Sequence, residues 1–139
     1  MLSKKDQNLV VAAIREAERT TSGEIHVHIS RYCRQHALDG AVEMFFQLGL
    51  DKTAARNGAL IFVSLRDKKV AIIGDTGINA IVPDDFWNET LDLMRNYFRN
   101  RKLTEGLCKG IEQVGLLLKQ YFPCQANDIN ELPDELTFS

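Results

Sequence analysis

The sequence predicts an α/β protein, a three-layer α/β/α sandwich whose small mixed sheet of about four strands is flanked by helix pairs. Three observations support this prediction. Apolar residues recur at helical spacing in four segments, and apolar runs rich in β-branched residues indicate three strands between them. These elements follow in the order αβα, ββ, αα. A strand on each side of a helix, followed by a hairpin, is typical of a mixed sheet with helices on both faces.

Length and composition restrict the classes of protein to consider. The 139 residues are 45% hydrophobic and 26% charged, which suits one soluble domain, predicted over residues 1–122, with a tail at 123–139. The formal net charge of −2 argues against a nucleic-acid-binding protein. The N-terminus lacks a signal-peptide pattern, no apolar run could cross a membrane, and the three cysteines form no CxxC pair. We therefore expect a cytoplasmic monomer that does not insert into membranes.

The N-terminal segment predicts a helix followed by a strand. Ser3 is a suitable N-cap, with Asp6 at the capping-box position, and the helix is expected to run to about Thr20. Gly23 suits the left-handed position that follows many helices. Residues 24–31 then alternate between apolar and polar types, which predicts a strand with one apolar face and with Glu24, His26, His28 and Ser30 on the other.

A second helix is expected after a loop that contains Cys33 and His36. Asp39 is its predicted cap, and Gly49 its predicted end or bend. The side chains expected to face the core are Val42, Phe45, Phe46 and Leu48.

The central stretch contains a hairpin and an acidic loop. Residues 59–65 and 70–73 are predicted strands joined by a charged turn at 66–69, and residues 79–82 offer a short fourth strand. Asp84 or Asp85 is the expected cap of a third helix that ends near Asn100. Its predicted buried residues are Phe86, Trp87, Leu91, Met94 and Phe98.

The last helix is predicted over 104–121, capped by Thr104 and stopped by Pro123. Its apolar stripe consists of Leu107, Ile111, Val114 and Leu118. The tail beyond it is acidic, with isolated apolar residues, and is expected to pack loosely on the surface.

Several motifs in one order resemble the TPM domain family. They are RNGALIFV at 56–63, RDKKV at 66–70, GDTGI at 74–78 leading to VPD at 82–84, and a later segment with Leu103, Glu105-Gly106-Leu107 and Gly110-Ile111. The similarity extends over about residues 22–122. It implies a four-stranded mixed sheet flanked by helix pairs, divalent-cation binding in an acidic loop site, usually of calcium, and an acid phosphatase activity proposed for the family. The usual Gly-Tyr-Gly loop is GDTG here, which adds a carboxylate.

The acidic loop is the predicted metal site. We expect Asp75 and Asp84 to be the principal ligands, Asp85 and Glu24 secondary ones, and Asn57 to support the loop, because hard cations such as Ca²⁺ prefer oxygen ligands. Mg²⁺ is the second candidate ion. The alternative is that Asp84 and Asp85 only cap the following helix.

A zinc site can also be drawn from the sequence, because His26, His28 and Glu24 share a strand face, with Cys33 and His36 nearby. No third ligand has the spacing of a zinc motif, so packed, hydrogen-bonded histidines are the preferred interpretation.

Three functions remain open. In the first, a cation orders the loop at 74–85 and prepares a surface for a protein partner that the sequence does not identify. In the second, the same carboxylates hold a metal that hydrolyses phosphoesters. The sequence contains no GxSxG, P-loop or C-x5-R motif to support another hydrolytic mechanism. In the third, the domain is a metal-free interaction module whose tail near 132–138 contacts the partner.

Overall fold

The chain forms one mixed sheet with helices on both sides. The computed structural model describes residues 2–124 and 135–139. The elements within these residues are α1 (Lys4–Glu18), β1 (Glu24–Ser30), α2 (Ala37–Gln47), β2 (Gly58–Ser64), β3 (Lys69–Gly74), α3 (Thr76–Asn79), α4 (Asn88–Arg99), α5 (Leu103–Tyr121) and β4 (Leu136–Phe138).

The strand order is β3-β2-β1-β4. β1 runs parallel to both β2 and β4, and β3 pairs with β2 as the antiparallel arm of the predicted hairpin. In this register Glu24 lies opposite Gly58, and Ala59 lies opposite Gly74. The start of β1, the start of β2 and the end of β3 therefore meet at one end of the sheet. The predicted α/β class and mixed four-stranded sheet are confirmed.

Alternate side chains of the strands point into two separate cores, as the two-residue period of a strand requires. On one face, Ile25, Val27 and Ile61 pack with residues of α1, α4 and α5. On the other, Leu60 and Phe62 pack with α2. Within the described residues, α2 is therefore the long helix of its layer, and the other three long helices form the opposite layer.

The N-cap of α1 is confirmed, since the Ser3 hydroxyl accepts a hydrogen bond of 3.1 Å from the Asp6 amide. The other predicted caps are wrong. Trp87 rather than Asp84 or Asp85 precedes α4, and residues 83–86 instead form a turn in which the Phe86 amide donates to the Pro83 carbonyl. The N-cap of α2 is His36 in place of the predicted Asp39, and the N-cap of α5 is Lys102 in place of the predicted Thr104. Packing decided where these helices begin, because a cap contributes only about 1 kcal/mol.

Of the two glycines predicted to end α1 and α2, only the second adopts a left-handed conformation. Gly49 has a φ of 71° and ends α2, as predicted. Gly23 has no positive φ. A Cβ atom at Gly23 would lie 3.0 Å from the Leu118 side chain, so close packing on α5 explains the residue there.

The buried face of α2 is narrower than predicted. Phe45 is buried as expected, together with Ala41, but Val42 and Phe46 are 41% and 57% exposed. Leu48 is half-buried. The side chains at 41 and 45 point at the sheet, so those at 42 and 46, one residue or about 100° further round the helix, face solvent.

The predicted fourth strand is wrong. Residues 76–79 are helical and 80–82 form a turn, whereas the fourth strand is β4, from the segment predicted to be a loose surface tail. The amide of Val27 donates to the Glu135 carbonyl, and the amide of Ser139 donates to the Ile29 carbonyl. The end of the chain is thus a strand at the edge of the sheet, while residues 125–134 of the predicted tail lie outside the described residues.

Buried histidines tie β4 to β1. The Thr137 hydroxyl lies 2.9 Å from His26 Nε2 and 2.6 Å from His28 Nδ1, and the Ser139 hydroxyl lies 2.8 Å from His28 Nε2. Burial lowers the pKa of His28, which keeps its ring neutral at pH 7. One nitrogen then donates and the other accepts, and hydroxyl groups can partner either.

None of the helices within the described residues has both the length and the apolar character needed to cross a bilayer.

We expect Thr137→Val to destabilise the protein by about 1–3 kcal/mol, because it removes the hydroxyl shared by two buried imidazole rings while keeping the side-chain shape. Urea unfolding measures the loss, and amide exchange at Val27 and Ile29 reports whether the sheet edge opens. Thr20→Val is the control, since Thr20 is exposed. Equal unfolding midpoints for Thr137→Val and the control would contradict the role given to this hydroxyl.

Candidate functional site

Three of the five predicted metal ligands meet at one end of the sheet. Glu24 begins β1, Asn57 immediately precedes β2, and Asp75 immediately follows β3. The Glu24 amide donates to the Asn57 carbonyl at 3.2 Å, and the Asp75 amide donates to the Gly58 carbonyl at 2.9 Å. All three residues are buried, with relative exposures of 4%, 3% and 4%. The parallel pairing of β1 with β2 and the antiparallel pairing of β2 with β3 produce this convergence.

The carboxylate of Asp75 is bound by the guanidinium of Arg56. Arg56 Nε donates to Oδ2 at 2.6 Å, and Arg56 Nη2 donates to Oδ1 at 2.8 Å. The hydrogen bond that Arg56 donates to Asp75 is the main cause that raises the pKa of Arg56 above its usual value, and the charges of Asp75 and Asp51 add to it. Planar two-point pairs of this kind are among the stronger polar contacts in proteins. The buried charge of Asp75 is therefore compensated within the chain.

The loop after β3 is ordered by its own hydrogen bonds. Asp75 caps the single turn α3, because Oδ1 accepts from the Thr76 amide at 2.7 Å. The Gly77 amide donates to the Arg56 carbonyl at 2.9 Å. A Cβ atom at Gly77 would overlap the carbonyl oxygen of Ala55, so a side chain there would push the loop away from Arg56. The GDTG sequence thus holds the Asp75 carboxylate against its partner.

Asp84 and Asp85 do not join the buried group. Both are exposed, in the turn that precedes α4. Across residues 2–124 and 135–139, no three His, Cys, Asp or Glu side chains are grouped so that they could hold a metal ion. Whether the five predicted residues bind a cation stays a prediction.

Sequence reasoning missed Arg56 as a site residue, although it begins the RNG motif. A cation beside a buried carboxylate has no sequence spacing of its own, and these partners are 19 positions apart. It also missed a second acidic group, in which Glu18 and Glu135 lie near Glu24. Glu18 Oε2 accepts from the Ile25 amide at 2.8 Å, and Glu135 Oε1 pairs with Arg15 Nε at 3.3 Å.

Burial raises the pKa of Glu18 from 4.5 to about 7. The hydrogen bond from Ile25 opposes this rise, whereas the negative charges of Glu135 and Glu24 add to it. In the folded protein Glu18 therefore keeps its proton over a range of pH in which it ionises in the unfolded chain.

The zinc site drawn from the sequence is not assembled. His26 and His28 bond to hydroxyl groups of the last strand region, as the preferred interpretation expected. Cys33 Sγ donates to the Gln35 carbonyl at 3.3 Å, and His36 is an exposed N-cap residue on the way to α2.

Comparisons with known proteins agree with the fold. The model of the TPM domain family matches residues 1–116. The NMR structure of the BA42 protein from the psychrophilic bacterium Bizionia argentinensis is 40% identical, with a TM-score of 0.92, and the match covers 100% of this chain and 96% of BA42. No curated protein matches the sequence.

Two more distant structures share the fold. One is the N-terminal domain of a P. gingivalis protein, 23% identical with a TM-score of 0.70, over 87% of this chain and 78% of that one. The other is the N-terminal domain of the cg2496 protein from Corynebacterium glutamicum, 12% identical with a TM-score of 0.65, over 98% and 80% of the two chains.

We expect Glu18→Gln to make the protein more stable than wild type at pH 8, by on the order of 1–3 kcal/mol, and to leave it unchanged at pH 4. Below pH 4.5 Glu18 is protonated in both states. Between 4.5 and about 7 only the unfolded chain ionises, so stability falls as the pH rises, and the full cost applies above 7. Glutamine avoids that cost and keeps the oxygen that accepts from Ile25.

Urea unfolding at the two pH values measures this effect. Glu16→Gln is the matched control, because Glu16 is on the same helix with a side chain that is 73% exposed. A stability difference that is the same at pH 4 and pH 8 would contradict the assignment of the raised pKa to Glu18.

Proposed function

The chain belongs to the TPM domain family, and we propose that it binds a divalent cation, Ca²⁺ in preference to Mg²⁺, at the sheet end where Glu24, Asn57 and Asp75 meet. The observation that supports this proposal most is the burial of two carboxylates, Glu24 and Asp75, at adjoining strand ends. Carboxylate oxygens are the ligands that Ca²⁺ prefers, so two carboxylates at one sheet end supply donors for such an ion.

The oxygen donors at this sheet end are few, so the proposed site is a weak one. Asp75 Oδ1 already accepts two hydrogen bonds and Oδ2 accepts one, so Oδ2 keeps a lone pair for a further partner. Asp75 and Glu24 are the buried carboxylates of the proposed site, Asn57 supports it, and Asp84 and Asp85 would contribute from the exposed turn. Calcium tolerates such mixed and irregular oxygen ligands better than magnesium does.

Arg56 would compete with the cation for Asp75. Its side chain is 42% exposed, so the guanidinium has a path into solvent, whereas the Asp75 side chain is 3% exposed and stays in place. A bound cation would supply positive charge where Arg56 now does. Binding would then free Arg56 and alter the surface at residues 75–85, which is the regulatory effect on a protein partner that we propose.

We expect Arg56→Gln to bind Ca²⁺ more tightly than wild type, on the order of three- to tenfold, because the competing charge is gone. Asp75→Asn should lose binding. Amide NMR spectra of chelator-treated protein during a Ca²⁺ titration, with Mg²⁺ for comparison, measure both effects. Ca²⁺ should also raise the unfolding temperature of Arg56→Gln more than that of wild type.

Asp92→Asn is the matched control, because Asp92 carries an exposed carboxylate on α4 and should leave Ca²⁺ binding unchanged. Absence of saturable shifts near Asp75 and Glu24 at millimolar Ca²⁺, in wild type and in Arg56→Gln, would refute the cation site.

A metal-free interaction module is the second candidate, and the ion pair of Arg56 with Asp75 favours it. In that function the guanidinium is the permanent counter-charge of the buried carboxylate and the loop needs no ion. Arg56→Gln would then lower the unfolding temperature, and Ca²⁺ would not restore it. The tail near 132–138 would be the place to look for the surface that contacts the partner. Residues 132–134 of this tail lie outside the described residues.

Hydrolysis of phosphoesters by the bound cation is a separate test. If the cation activates water, turnover of p-nitrophenyl phosphate should require the ion and vanish in Asp75→Asn, while Asp92→Asn keeps it. Turnover that persists in Asp75→Asn would exclude these carboxylates as the metal ligands of such a reaction. The predicted cytoplasmic location, monomeric state and lack of nucleic-acid binding stay predictions.

A further inference from the structure

Two adjoining clefts lie at the other end of the sheet, where β2 ends and β3 begins. Their volumes are about 530 and 600 Å³, and they share Lys68, Lys69, Phe98 and Arg99 in their walls. Arg95 lines the first cleft and Arg101 the second. The five cations come from the hairpin turn, α4 and the loop before α5, and among residues 2–124 and 135–139 no Asp or Glu lines either cleft.

Among the described residues, neighbouring carboxylates neutralise this charge only in part: Asp67 in the hairpin turn interacts with Lys69, whose charge helps to lower the pKa of Asp67. Arg95 has one weak partner, Asp92 at 3.6 Å, and both side chains are at least half exposed. Within the described residues no ion pair forms at Lys68, Arg99 or Arg101. Gathering five cations with fewer counter-charges raises the free energy of the folded state, and a bound anion lowers it again.

Turn and helix-end backbone conformations place two of these side chains. Lys68 and Arg101 have φ angles of 53° and 60°, a left-handed conformation that long side chains adopt rarely. Lys69 is held in position, because its Nζ donates to the carbonyls of Cys33 and Gln35 at 3.3 and 3.0 Å. A hairpin turn and the residue after a helix are common places for such angles, so they direct the two side chains without by themselves marking a site.

The first cleft also adjoins the start of α2. His36 and Ala37 line it, and the N-cap His36 makes no side-chain hydrogen bond to the helix. The first amides of an 11-residue helix and its dipole add positive potential on that side. Val70 and Phe98 supply apolar surface beside the cations.

We propose that this basic cleft binds a phosphate group, carried either by a small anionic molecule or by a lipid headgroup. Arginine and lysine side chains that converge from separate elements are the usual ligands of phosphate oxygens. The cleft volumes are in the range of small-molecule sites. The seven residues of β2 separate this cleft from the proposed cation site by about 20 Å, and the two sites share no residue.

The test uses inorganic pyrophosphate as the probe, in chelator-containing buffer, so that a failure of cation binding does not affect it. Amide NMR shifts should saturate and be confined to residues near 36–37, 66–70 and 95–103. The double variant Lys68→Gln with Arg99→Gln should bind about tenfold more weakly or worse. The matched control, Lys5→Gln with Lys109→Gln, removes the same charge from exposed positions on α1 and α5 and should bind like wild type.

A second arm distinguishes the two sources of phosphate. The protein is sedimented with vesicles of phosphatidylcholine alone or of phosphatidylcholine that contains phosphatidylglycerol. Binding only to the vesicles with phosphatidylglycerol would identify a lipid headgroup as the ligand, if the cleft double variant abolishes that binding. Saturable pyrophosphate binding without co-sedimentation would identify a small molecule. Equal weakening in the cleft variant and the control, or no binding in either arm, would overturn the proposal.

Discussion

The buried carboxylate of Asp75 is the constraint on which this end of the molecule depends. An ionised carboxylate that is 3% exposed must be compensated, and the guanidinium of Arg56 does this through two hydrogen bonds of 2.6 and 2.8 Å. The same carboxylate caps α3, and Gly77 allows the loop to lie against the Arg56 carbonyl. One ion pair thus joins the entry to β2 with the exit from β3. A cation that binds Asp75 competes with Arg56 for this carboxylate.

Charge is separated along the sheet. Carboxylates of Glu24, Glu18 and Asp75 gather at the end where β1 and β2 begin, and five cations gather where the hairpin turns. The net charge of −2 does not reveal this arrangement, because it sums 17 basic and 19 acidic residues over the whole chain. The fold is that of the TPM domain family, and it is similar to the structure of BA42, which is 40% identical in sequence. The acidic end of the sheet and the basic cleft are therefore the two surfaces at which binding should be tested.

Sequence reasoning succeeded where a local pattern has a single structural solution. The alternation at 24–31 and the apolar runs around the charged turn predicted β1, β2 and β3, and Ser3 predicted the start of α1. It failed where packing chose among local alternatives. The N-caps of α2, α4 and α5 are His36, Trp87 and Lys102 rather than the predicted aspartate and threonine residues. The fourth strand is formed by residues 136–138, which pair with β1 through contacts between residues more than 100 positions apart in the sequence.

The sequence by itself determined the fold class and the hairpin, because residue periodicity and turn position decide which segments are strands. The meeting of Glu24, Asn57 and Asp75 also required the parallel pairing of β1 with β2, which the tertiary structure decided. The tertiary structure alone decided that Arg56 neutralises Asp75, that His26 and His28 hold β4, and that Lys68 and Arg99 meet in one cleft. The reason is physical. Periodicity records which face a residue occupies, whereas electrostatic partners and edge strands depend on distances in space that no spacing along the chain encodes.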